Sequence, residues 1–194
     1  MQYIVFFLFA AASVSRAFAQ TPPIEGNARS QVRVIVYEDL QCPDCAVFRE
    51  MMDKTLLPRF GSQVAFEHRD FPLAKHAFAR KGAIAARFFA AISPETAIEF
   101  RRTMLAHVSE VRAGAFLDLL TKFAREHGVD PQKAVASLDD PALAAAVQAD
   151  FEEGVARGIA HTPTAIVDGE PFVESFAVED VVKSIERALA TRKQ

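Results

Sequence analysis

Gln41-Cys42-Pro43-Asp44-Cys45 stands where an apolar run ends and a helical pattern begins, and it holds the only two cysteines of the chain. Upstream, Val32, Val34, Ile35, Val36 and Tyr37 are β-branched or aromatic and read as a buried strand. Downstream, Val47, Phe48, Met51 and Met52 recur at helical spacing, so the motif sits at a strand-to-helix junction. Pro43 suits the first helical position, where its missing N–H removes no hydrogen bond and its φ is already helical. Cys42 then lies at a helix N-terminus, where free N–H groups and the macrodipole favour a thiolate. Cys45 follows about one turn later on the same face, within reach of a disulfide to Cys42.

Two other uses of such a pair compare poorly. As a staple, a four-residue loop would contribute roughly 2 kcal/mol, against about 4.7 for a 100-residue loop. A zinc site would need two more ligands, and neither a second C-x-x-C nor a spaced histidine pair follows. Five scattered histidines keep a metal-binding reading open. Redox chemistry is the better match to an isolated C-x-x-C.

Working outward, residues 1–19 read as a secretory signal peptide. Ile4 to Ala12 is an apolar run too short to span a bilayer, and Ala17-Phe18-Ala19 is an A-x-A cleavage signal. The first residues depart from that pattern, since Met1-Gln2-Tyr3 carries no Lys or Arg. No cysteine follows the cleavage site to take a lipid anchor, so a soluble periplasmic domain is expected. Residues 20–30, with two prolines and a glycine, read as a linker. The formal net charge of −3, with no basic run, gives no reason to expect nucleic-acid binding. No cofactor motif is present.

Pro58-Arg59-Phe60-Gly61-Ser62 reads as a break. Gln63 to Phe71 alternates Val64, Phe66 and His68 against Ala65, Glu67 and Arg69, which predicts a second strand. Residues 73–158 then read as successive helices. The first spans His76 to Ile92, and the second starts at Ser93-Pro94 with Ser93 as N-cap. A third spans Ala113 to His127, and Asp130-Pro131 and Asp140-Pro141 open two more. Thr162-Pro163 precedes a strand, Ala165 to Val167, whose Asp168-Gly169 turn leads to Glu170–Val173. Val178 to Ala190 closes the chain as a helix.

With both motifs in view, the segment from Asp39 to Phe48 resembles the active site of DsbA-like thiol–disulfide oxidoreductases of the thioredoxin superfamily. That family places strand, C-P-x-C and helix in this order, with an aromatic residue where Phe48 stands. The likeness covers nearly all of the mature chain. It implies an α/β thioredoxin fold, formed by residues 31–72 and 159–194, with a helical insertion, residues 73–158, between the second strand and the cis-Pro hairpin. It also implies that Pro163 is cis and faces the cysteines, and that Thr162 offers backbone groups to a substrate peptide. Cys42 would be the exposed nucleophile and Cys45 the resolving thiol, with Pro43, Asp44 and His161 modulating the pair.

Two residues depart from the family pattern. A buried acid often lies six residues before the first cysteine, where this chain has Val36. Glu38, on the same strand face, is read as an exposed strand-end acid, with substitution for the missing acid as the alternative. The residue before the Thr-Pro pair is commonly Gly, and here it is His161. The function implied is dithiol oxidation of reduced secreted proteins, with a membrane redox partner that resets the disulfide. Oxidation is favoured over isomerisation because no dimerisation module precedes the domain. A periplasmic reductase, for example in cytochrome c maturation, and a copper or zinc carrier using Cys42, Cys45 and a histidine are the alternatives.

Overall fold

The structure, a computed structural model, describes residues 21–192; the signal-peptide expectation for residues 1–19 lies outside them. Its centre is a five-stranded mixed sheet of order β1-β3-β2-β4-β5. Strands β2 (Arg33–Glu38) and β3 (Ala65–Asp70) run parallel, with Val36 opposite His68. Strand β4 (Thr164–Val167) lies antiparallel on the other side of β2 and places Thr164 opposite Tyr37. Strand β5 (Glu170–Val173) completes the hairpin, and Asp168 and Gly169 supply the positive φ values, 49° and 90°, that its turn requires.

Strand β1 (Ile24–Gly26) corrects the linker expectation for residues 20–30: it pairs antiparallel with β3 at the sheet edge. Three residues flanked by prolines and polar side chains carry no periodicity, so only pairing with β3 reveals the strand. Gly26 turns the chain away at φ 80°, and a Cβ there would come within 2.5 Å of the Val64 carbonyl oxygen.

Helix α1 (Pro43–Met51) continues through a π-type turn, Met52–Leu56, into α2 (Leu57–Phe60). The break expected at Pro58 therefore comes later, at Gly61. A proline inside a regular helix clashes with the carbonyl four residues back, and the wider π turn just before it absorbs that conflict. The face of this helix carrying Phe48, Met52, Leu56 and Phe60 packs with Val34, Val36 and Phe66 of the sheet and with Val181 and Ile185 of the last helix.

The intervening segment is helical: α3 (Ala79–Ala90), α4 (Pro94–Ala106), α5 (Val108–Glu110), α6 (Phe116–Glu126), α7 (Pro131–Ala136) and α8 (Pro141–Ala156). Ser93, Asp130 and Asp140 each accept a first-turn N–H, as N-caps do. The helix expected from Ala113 begins instead at Phe116, because Gly114 breaks the path at φ 107°. These helices build a second apolar core around Phe89, Phe100, Phe116 and Phe123, and Cys42 and Cys45 belong to it. Helix α8 closes on the sheet at Gly154, where a Cβ would meet the Phe71 ring at 2.7 Å. Helix α9 (Val178–Thr191) ends the described chain. The cysteine pair thus lies where the sheet, α1 and the helical core meet.

Candidate active site

Cys42 is the residue before the first turn of α1, with extended backbone (φ −86°, ψ 124°) and Pro43 behind it in helical conformation. Both cysteines are free thiols. Cys42 is only 4% exposed and Cys45 1%, which corrects the expectation of an exposed nucleophile: the helical core and the Thr162-Pro163 loop cover it. The Thr162–Pro163 peptide bond is cis. Across that loop the Cys42 thiol donates to the Thr162 carbonyl oxygen at 3.3 Å. Thr162 Oγ1 is buried with no hydrogen bond of ordinary geometry to the neutral thiol, and from beside Cys42 it favours the thiolate.

The two thiols differ sharply in acidity. The Cys45 thiol, the Thr162 side chain and the N–H groups of Cys45 and Asp44 bring the Cys42 pKa down to about 6, against the opposing effect of burial. Burial pushes Cys45 well above the ordinary thiol range, and a neighbouring Cys42 thiolate and the Glu38 charge add to this. One sulfur is therefore prepared as a nucleophile near neutral pH and the other is held as a proton donor to it.

Of the remaining residues singled out in the sequence, Pro43 is half-buried and Asp44 is exposed at the first turn. His161 is not brought to the thiols. Its side chain is 58% exposed, and Nδ1 lies 3.1 Å from Glu174 Oε1, so its expected approach to Cys42 is replaced by a surface hydrogen bond. Nor does a histidine complete a metal site with the cysteines: among the described residues no group of three or more His, Cys, Asp or Glu is arranged to hold a metal ion.

Glu38 requires the opposite correction. It is 4% exposed, not an exposed strand-end acid. Its Oε1 lies 2.9 Å from His68 Nδ1 and accepts from Arg101 Nη1 at 2.8 Å. His68, itself 1% exposed, reaches Glu25 with Nε2 at 2.9 Å. Because both ring nitrogens face carboxylates, both must donate, and His68 is an imidazolium. Burial alone would lower its pKa, but Glu38 and Glu25 raise it above the ordinary value. Burial would raise Glu38 and Glu25, and His68 with the neighbouring arginines holds both below the carboxylate range.

The cluster extends further. Arg49 of α1 pairs with Glu25, Arg101 of α4 with Asp70, and Arg87 of α3 with Asp70 and Asp150. With His68 charged, the four buried cations His68, Arg49, Arg87 and Arg101 balance Glu25, Glu38, Asp70 and Asp150. The sequence reading missed this group, although a signal was there. Period-two alternation continues the Val34-Val36 face to Glu38 and the Val64-Phe66 face to His68 and Asp70, which places charges on core-facing positions.

Asp39 was also missed beyond its place in the motif. Its N–H donates to Cys45 Sγ at 3.4 Å and its carbonyl accepts the Cys42 N–H at 3.0 Å. It is the residue that touches both halves of the pair through its backbone.

A family model described as Thioredoxin matches residues 19–187. Among solved structures, BdbD from Bacillus subtilis aligns with TM-score 0.74 at 21% identity, covering 87% of this chain and 93% of its own. The α-DsbA1 protein of Wolbachia pipientis aligns with TM-score 0.75 at 14% identity, covering 88% and 92%. At these identities the likeness speaks for the fold, a DsbA-like arrangement of thioredoxin core and helical segment. A curated relative, the Na(+)/H(+) antiporter NhaA of Herminiimonas arsenicoxydans, is 28% identical over 163 residues. That match takes in 84% of this chain and 25% of the antiporter, so the chain spans about a quarter of the length of the curated relative it matches. Among the described residues, no helix is long and apolar enough to cross a membrane.

Proposed function

Since the chain belongs to the thioredoxin family, we propose that it is a DsbA-like protein thiol–disulfide oxidoreductase that works as a dithiol oxidase on reduced secreted proteins. The observation that carries this reading is the split acidity of one cysteine pair: Cys42 near 6 at a helix N-terminus, Cys45 buried and far higher. A thiolate of low pKa is a good leaving group, and its stability favours the reduced pair, which makes the oxidised pair an acceptor of electrons.

The exchange balances as follows. A substrate thiolate attacks Cys42 sulfur in the Cys42–Cys45 disulfide, and Cys45 leaves and takes up a proton. A second substrate thiolate then attacks the substrate sulfur of the mixed disulfide and expels Cys42 as thiolate. Two substrate thiols become one disulfide, and the cysteine pair has gained two electrons. In the reverse direction Cys45 must lose its proton to resolve the mixed disulfide.

Thr162 and Pro163 would dock the substrate backbone beside Cys42 as a short strand addition. Thr162 Oγ1, unpartnered in the dithiol state, is available to donate to the Cys42 thiolate. Pro43 and Asp44 tune the pair from the first turn. The cleavable leader read in residues 1–19 supports an extracytoplasmic site of action, where a membrane redox partner would return the pair to the disulfide.

The test is oxidative refolding of a reduced protein substrate. The oxidised protein should form substrate disulfides, Cys42→Ser should abolish this, and Cys45→Ser should accumulate substrate as mixed disulfides on Cys42. Faster alkylation of Cys45 than of Cys42 in the native reduced protein would contradict the roles assigned.

A further inference from the structure

Residues 71–94 contain no Asp or Glu, in a chain whose formal net charge is −3. Arg87, within that stretch, is buried and engaged by Asp70 and Asp150. Lys75, Arg80 and Lys81 are exposed, and none of them has a carboxylate partner among the described residues. The other helices of the segment carry an acid in or at the first turn: Glu95 in α4, Glu110 in α5, Asp118 in α6, and Asp130 and Asp140 as the caps of α7 and α8. Helix α3 has none, and Arg80 and Lys81 stand at its start, where the macrodipole opposes positive charge. Helix stability does not account for these cations.

The same stretch is bonded to the active-site turn. Oδ2 of the buried Asp39 lies 2.8 Å from both the Leu73 N and His76 Nδ1, and Gln41 Oε1 accepts the Phe78 N–H at 2.6 Å. The Asp39 carbonyl in turn accepts the Cys42 N–H at 3.0 Å. Lys75 lies inside the bonded segment, and Arg80 and Lys81 follow it directly. Arg80 also lines a cavity of about 310 Å³ with Leu73, Gln148 and Phe151, where Gln148 Oε1 accepts from its Nη1 at 2.9 Å. The neighbouring acids offset little of this charge. Asp39 is buried, Glu152 accepts from the Gln148 amide at 2.9 Å, and Asp44 is the exposed acid in the first turn of α1. Three exposed cations against Asp44 leave the rim of the cysteine site positive.

We propose that Lys75, Arg80 and Lys81 form a docking rim for acidic segments of the reduced protein substrate, and so bias exchange at Cys42 toward cysteines flanked by Asp or Glu. This rests on the redox reading of Cys42 and Cys45 and deepens it by naming the chemistry of the preferred substrate. Opposite charge steers the approach and holds the flanking residues during exchange, and both effects weaken as salt screens them. A substrate is the occupant that the placement favours, because the rim is bonded to the turn that presents Cys42.

The test reacts the oxidised protein with two dithiol peptides of equal length, the cysteines flanked by Glu in one and by Gln in the other. The ratio of their second-order rate constants is measured in the wild type and in Lys75→Gln/Lys81→Gln. Comparing the ratio between the proteins cancels the intrinsic reactivity of the peptide thiols and any change in the cysteine pair. At about 10 mM salt, where the Debye length is about 30 Å, the ratio of acidic to neutral peptide should be about fivefold higher in the wild type, the scale of two charge pairs roughly 8 Å apart in water. At about 1 M salt, where that length is about 3 Å, the two proteins should converge. Lys54→Gln/Lys183→Gln removes the same charge from the π-type turn after α1 and from α9, and should keep the wild-type ratio. Equal ratios in the wild type and Lys75→Gln/Lys81→Gln at low salt would overturn the docking rim while leaving the redox function standing. An equal loss in Lys54→Gln/Lys183→Gln would also overturn it, since net charge alone would then explain the preference. So would binding to phosphatidylglycerol vesicles that the Lys75→Gln/Lys81→Gln change abolishes, with no peptide preference in the wild type, because the rim would then face a lipid surface. Oxidation of neither peptide by the wild type would remove the proposed function, and the rim with it.

Discussion

Cys42 Sγ and the Thr162 carbonyl oxygen lie 3.3 Å apart, although 120 residues separate them in the chain. The contact exists because β2 and β4 are neighbours, so the turn after β2 and the loop before β4 meet at one end of the sheet. Only the neutral thiol can donate this bond; a thiolate loses it and faces the negative end of a carbonyl. The acidity of Cys42 must therefore come from elsewhere, and its largest source is the Cys45 thiol.

It follows that Cys45→Ala should move Cys42 from about 6 back toward the ordinary thiol value of about 8.5. Cys45→Ser, which keeps a hydroxyl donor at the site, should move it less. Ultraviolet absorbance of the thiolate against pH in the two variants checks this ordering.

The dithiol and disulfide forms should differ in stability in a pH-dependent way. A thiol whose folded pKa is depressed contributes stability that is complete above its unfolded pKa and lost as pH falls through the folded one. For Cys42 that window runs from about 8.5 down to about 6. The melting temperature of the reduced protein should accordingly gain on that of the oxidised protein as pH rises across the window. Paired thermal melts of the two forms measure it, and all other titrations common to both cancel.

Both forms should share a second pH dependence, set by His68. Its folded pKa is raised, so its contribution is complete below the unfolded value of about 6.5 and lost as pH rises through the folded value. Glu25 and Glu38 are lowered, so theirs is complete above about 4.3 and lost as pH falls through their folded values. Stability of the oxidised protein should be greatest between those limits. His68→Gln removes the charge that balances Glu25 and Glu38 and should cost about 3 kcal/mol at pH 5.5, with a smaller loss at alkaline pH. Denaturant unfolding of both proteins at the two pH values tests the sign and the slope.

Asp44 is exposed at the first turn of α1, where a carboxylate suits the helix N-terminus but opposes a thiolate at Cys42. Asp44→His should lower the Cys42 pKa and make the protein more oxidising. His161→Ala should leave the titration nearly unchanged, since the exposed His161 side chain is turned to Glu174 at the surface and away from the sulfur. A large shift in the second variant would mean that the loop reaches the sulfur in solution.

The C-P-x-C junction was readable in the chain because its cause is local: a β-branched strand, a proline fit for the first helical turn, and a helical stripe led by Phe48. The order of the remaining elements was readable for the same reason, through caps such as Ser93 and turns such as Asp168-Gly169. What escaped depends on distant partners. Glu38 looks like a strand-end acid until His68, 30 residues on, and Arg101, 63 residues on, arrive to compensate it. The edge strand at Ile24–Gly26 is too short to show a period and exists through β3 alone. His76 lies inside a run of good helix formers and is drawn out of the helix by Asp39, a side chain 37 residues earlier.

Equilibration of the wild-type protein with glutathione at neutral pH shows whether Cys42 and Cys45 form a reversible redox pair poised to accept electrons. A single two-electron transition is expected between the potentials of about −270 mV for thioredoxin and about −120 mV for DsbA. A potential below that of thioredoxin would contradict oxidation as the direction of electron flow. Failure of the two thiols to form an intramolecular disulfide across the whole glutathione range would contradict the redox pair itself.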